Sequence, residues 1–98
     1  MRTTFSIELN MKTAKGFERF GCFDLGCDRE FASRLFSALE GQPPTDEEGV
    51  LHMDLVEKRE KLPVNIQVIS CSIGELCLNI RIITRELFKR TNLGETPA

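Results

Sequence analysis

The chain contains neither tryptophan nor tyrosine and only one histidine, His52. It also lacks a glycine-rich phosphate loop and any nucleophile motif, so the usual inventory of catalysis is thin. No apolar run approaches the roughly 20 residues needed to cross a bilayer. The N-terminal Met1-Arg2-Thr3-Thr4-Phe5 leads straight into alternating sequence, without the apolar block of a signal peptide, so a cytoplasmic protein is expected. Charge of one sign is lacking too. A net charge of -2 gives no general attraction to nucleic acid or to an anionic membrane surface.

Cysteines are few, at positions 22, 27, 71 and 77. Four residues separate the first two and five the last two, which does not match the two-residue knuckles of common zinc sites. Reduced structural thiols are the preferred reading, with neither metal nor cofactor expected. Cys27 precedes a predicted helix N-terminus, where a thiol can be activated, but Asp28 beside it opposes the thiolate.

What is present describes one small globular domain. Ninety-eight residues, 41% apolar and 29% charged, suffice for a single core. The stretch from Pro63 to Leu93 organises the rest. Val64, Ile66 and Val68 alternate with Asn65 and Gln67, the period of a strand with one buried face. Ser72-Ile73-Gly74-Glu75 then forms a capping box, in which Ser72 and Glu75 would satisfy each other's backbone amides. Leu76, Ile80, Ile83 and Leu87 follow at helical spacing, with Cys77, Thr84 and Phe88 beside them. Asn92 and Gly94 supply the stop.

Earlier in the chain, Phe5, Ile7, Leu9 and Met11 give a clear strand signal. Residues 17–25 read as its hairpin partner, but their apolar residues occupy both parities. Either that strand is central and covered on both faces, or a bulge near Arg19 switches its phase. Asp28 is the expected N-cap of a helix reaching Glu40, with Phe31, Leu35 and Leu39 as its buried stripe and Gly41 as its stop. Residues 42–49, with Pro43-Pro44 and Asp46-Glu47-Glu48, read as a mobile acidic loop. Leu51, Met53 and Leu55 define a third strand. Placing Lys58 opposite Pro63 would pair Leu55 with Ile66 and Met53 with Val68. Residues 94–98 are expected to fray.

The element order ββαββα and two single-striped helices predict an α+β, two-layer sandwich. Its mainly antiparallel four-stranded sheet would carry both helices on one face. A strand order of 1-2-4-3 is expected, which in topology alone resembles a permuted ferredoxin-like fold; the alternative is 1-2-3-4.

Under these registers the face of the sheet away from the helices would carry Phe20, Cys22, Ile69 and Cys71 near its middle. Glu8, Asn10, His52, Asp54, Asn65 and Gln67 would surround them. An apolar centre with a polar rim is the anatomy of an interface. The first expectation is therefore a small non-catalytic interaction module, homodimeric through this outer face or bound there to another protein. A second reading is a nucleic-acid or anion binder using the stripe Arg81, Arg85 and Lys89, with Arg90 alongside. Overall acidity and Glu86 within the stripe argue instead for a solvated helix face. The third is a metal or hydrolytic site around His52, Asp54 and Glu8, against which stands the ordinary polar side of a half-buried strand.

Overall fold

The computed structural model describes residues 2–44 and 50–92. Six elements follow one another: β1 (Thr3–Thr13), β2 (Gly16–Gly26), α1 (Arg29–Ser37), β3 (Leu51–Arg59), β4 (Leu62–Cys71) and α2 (Ile73–Asn92). The α+β class and the element order are as expected, but the strand order is not. The sheet runs β2-β1-β3-β4, with every neighbouring pair antiparallel, rather than 1-2-4-3 or 1-2-3-4. Burial explains the difference. Phe5, Ile7 and Leu9 on β1, and Leu51, Met53 and Leu55 on β3, are the most regular buried sets, and they occupy the two central places. Each hairpin partner is displaced to an edge, and α1 crosses over β1 to connect the parallel-running β2 and β3.

Both hairpins contain bulges, and these set which side chains face the helices. Lys58 does lie opposite Pro63, but Ile66 is then passed over, so Leu55 faces Gln67 and Met53 faces Ile69. A one-residue slip exchanges the faces of every following side chain. On β2 the same happens at Phe20: Asn10 pairs with Arg19 and Leu9 with Gly21. Gly21 packs closely on β1 there: an added Cβ would lie 3.0 Å from Leu9 Cδ1, so that Leu9 would have to shift. The two apolar parities of β2 therefore report a bulged edge strand, not a central one.

Both helices cover the face bearing Phe5, Ile7, Leu9, Met53 and Leu55. Asp28 caps α1 by accepting from the Phe31 amide at 3.1 Å. That bond, and next the Arg90 guanidinium at 2.8 Å, hold the Asp28 carboxyl below its usual pKa. The helix ends at Ser37, three residues before the expected Glu40. At the start of α2 both halves of the capping box form: the Ser72 amide donates to Glu75 at 2.9 Å, and the Glu75 amide donates to Ser72 Oγ at 3.1 Å.

The helices run antiparallel and are tied at both ends. Arg90 near the end of α2 pairs with Asp28 and lies over the Phe31 ring, 4.3 Å from its centroid. At the other end Asn79, fully buried on α2, binds the backbone of Glu40 twice. Its Oδ1 accepts from the Glu40 amide and its Nδ2 donates to the Glu40 carbonyl, both at 2.8 Å. Two residues on, the Gln42 backbone exchanges hydrogen bonds of 2.9 and 2.8 Å with Ser70 of β4. Gln42, expected in a mobile loop, is therefore anchored; residues 45–49 of that loop and the tail 94–98 lie outside the described residues.

Replacing Asn79 by alanine takes the side-chain partner from the Glu40 amide, leaves the Glu40 carbonyl only the Cys71 thiol at 3.5 Å, and opens a cavity where the amide was buried. The expected loss is about 2 to 4 kcal/mol in urea unfolding. Asn79→Asp can keep both bonds where its carboxyl is protonated, the C=O accepting and the O–H donating, and should there lose less than the alanine variant; once ionised it keeps only the accepting bond.

Candidate functional site

The outer face of the sheet is built from the residues that alternate with the core. Reading across the strands β2, β1, β3 and β4, one row is Arg19, Asn10, His52 and Ser70, and the next is Cys22, Glu8, Asp54 and Val68. Arg19 pairs with Glu8 at 3.2 Å. Asn65 donates to Asp54 Oδ2 at 3.1 Å, and the Phe17 ring stacks on His52 with centroids 4.2 Å apart. The centre of this face is polar. His52, Asp54, Glu8 and Asn65, expected at the rim, occupy its middle.

Three of the four side chains expected there lie elsewhere. Ile69 and Cys71 belong to the helix-covered side, where Cys71 is buried and Ile69 packs on the core. Phe20 lines an open groove on that same side, of about 920 Å³, together with Met11, Leu51, Cys71, Ile73 and Leu76. Only Cys22 remains on the outer face, exposed and opposite Glu8. Gln67, placed on the outer rim by the unbulged register, is opposite Leu55 on the helix side. The cause on β4 is the bulge at Ile66, which carries Ile69 and Cys71 to the core side, and on β2 the bulge at which Phe20 itself is passed over. The apolar outer centre on which an outer-face homodimer rested is therefore absent.

Asp54 is the unusual group of the outer face. It is 9% exposed without any helix above it, and its Oδ1 is buried without a hydrogen-bond partner, as is Nε2 of His52. Burial raises the Asp54 pKa above its ordinary value, and Glu8 adds to the rise. The positive side of His52 and the amides of Asn10 and Asn65 oppose it. A carboxyl of raised pKa beside an imidazole is the raw material of acid–base chemistry. Yet no hydrogen bond joins His52 to Asp54 or to Ser70 opposite, and the unpaired atoms are closed to solvent. Among the described residues, no three His, Cys, Asp or Glu side chains converge to hold a metal ion.

The basic stripe on α2 is present but largely engaged. Glu86 lies 3.5 Å from both Arg85 and Lys89, Arg90 is bound to Asp28, and Arg81 is exposed. Of the cysteines, all four are free, and burial followed by the nearby Glu75 pushes the Cys71 thiol pKa up. Cys27 is exposed beside the capping Asp28. Two features of the described residues escaped sequence reasoning. Asn79 left a sign only as an asparagine within an apolar stripe. The exposed apolar side chains of β4 were hidden by assuming a regular strand: Leu62 is 70%, Val64 59% and Ile66 41% exposed.

No helix of the described residues is long and apolar enough to cross a membrane. Comparison of the chain with models of known families, with curated proteins and with solved structures finds no match in any of the three.

The raised Asp54 pKa sets a direction for stability against pH. The native state holds this proton at pH values where the unfolded chain has released it, so the contribution of Asp54 falls as pH rises from the ordinary aspartate range through the raised native value. Asp54→Asn removes that penalty. Urea unfolding should show the variant gaining on the parent at pH 7 and the gain shrinking towards pH 3. An advantage independent of pH would contradict the assignment.

Proposed function

We propose that the chain is a small, non-catalytic protein-interaction module whose contact surface is the β4 edge rather than the outer face of the sheet. One observation carries this reading. β4 is a ten-residue strand, Leu62 to Cys71, with no charged residue, and it forms an edge of the sheet. Edge strands present unpaired amides and carbonyls, and proteins ordinarily blunt them with charges, prolines or bulges; β4 has Pro63 near one end and the bulge at Ile66 but no charge. β2, at the opposite edge, carries Glu18, Arg19 and Asp24. On β4 the exposed side chains are instead Leu62, Pro63, Val64 and Ile66, interleaved with the uncharged Asn65 and Gln67.

An apolar strip beside an open backbone edge favours recognition by strand addition, in which main-chain hydrogen bonds supply affinity and side-chain contacts supply choice. The polar outer face, with Glu8, Arg19 and Asn65 already engaged, supports no comparable contact.

The test compares immobilised parent and Ile66→Lys chains in quantitative capture from cell extract, with Cys22→Lys as the outer-face control. Proteins retained by the parent and by Cys22→Lys should be lost from Ile66→Lys. Equal retention by all three, or loss in the Cys22 variant alone, would reject the β4 surface.

A further inference from the structure

We infer that the β4 edge is occupied by a second copy of this chain, paired antiparallel about a twofold axis, so that two four-stranded sheets join into one of eight strands; this rests on the reading of β4 as the contact surface.

The open part of the edge is defined at both ends. Ser70 has its backbone amide and carbonyl taken by Gln42, which shows that this side of β4 accepts an antiparallel neighbour and also where such pairing must stop. At the other end Pro63 has no amide to give. Between them lie Val64, Asn65, Ile66, Gln67, Val68 and Ile69, six residues, which is an ordinary strand length. The bulge at Ile66 leaves one residue of this stretch unmatched by β3.

Charge identifies the occupant as the chain itself. A strand without charge can lie against its own copy with no like-charged pair in any register. The ends of β4 are of opposite character. The turn before it is net basic, with Lys58, Arg59 and Lys61 against Glu57, which pairs with Arg59 at 3.0 Å, and Glu60; Glu40 and Glu75 lie where the strand ends, beside Gln42 and at the first turn of α2. An antiparallel twofold brings the basic end of one copy towards the acidic end of the other, twice over, as a self-complementary interface requires.

Sedimentation of the purified chain over a concentration series should show a monomer–dimer equilibrium. Ile66→Lys, exposed in the monomer and so expected to fold, should keep the parent circular dichroism while its dimer dissociation constant rises by at least about tenfold. Isotope-filtered NMR on a mixture of labelled and unlabelled chains should show Hα–Hα contacts between the two copies within residues 64–68. A purified chain that stays monomeric overturns the inference. So does a dimer that survives Ile66→Lys or shows no contact between β4 strands. A monomer whose captured proteins are nevertheless lost on Ile66→Lys removes the second copy and leaves the β4 surface standing. Loss of both effects removes both.

Discussion

The packing of this protein turns on Asn79. Among the described residues its side-chain amide is the one polar group of α2 sunk fully into the core, and it holds the segment that follows α1 by satisfying both backbone groups of Glu40. A backbone amide or carbonyl that loses water without gaining a partner is costly. Asn79 removes that cost and fixes the spacing of the two helices. It also delivers the chain at Gly41, where no side chain fits: a Cβ would lie 2.9 Å from the Ser70 carbonyl oxygen. From that close approach Gln42 reaches β4. One amide thus links both helices to the sheet edge, and Met53 Sδ at 3.3 Å and Cys71 Sγ at 3.5 Å complete its surroundings.

Much of the local structure was legible. The alternation of Phe5 to Met11, the Asp28 cap, the Ser72–Glu75 box and the Lys58–Pro63 register are all encoded within a few residues, and the structure contains each of them. Features settled by competition between distant segments were not. Apolar residues on both parities of β2 fit a central strand or a bulged edge equally well, and the choice depends on which strand fills the middle of the sheet. β3 wins that place because Leu51, Met53 and Leu55 together with Val56 leave almost nothing exposed. The bulge at Ile66 has no sequence mark at all, since Val64-Asn65-Ile66-Gln67-Val68 alternates without a break. That regular pattern placed Ile69 and Cys71 on the wrong face, and the outer-face contact surface with them.

The two faces of the sheet differ more than composition indicates. Beneath the helices the core is apolar, relieved by Asn79. The opposite face holds Asp54 and His52 with polar atoms that are closed to solvent and unpaired. Such groups lower stability, and they concentrate at places kept for reasons other than stability. The Phe17 ring stacks on His52, with centroids 4.2 Å apart. The β4 edge has the reverse character: it is open, uncharged and apolar.

The central pair of strands has a kinetic consequence. β1 and β3 are separated by an entire hairpin arm and a helix, yet the sheet is joined across its middle only through them. Each hairpin can zip locally, but neither acquires a sealed interior until the two halves dock. The entropy of closing that long loop is therefore spent before the reward arrives, which makes docking the slow step of folding. Until it is complete, β1 and β3 are themselves open edges, so the nascent half-sheets must be kept apart from other chains for longer than their small size suggests.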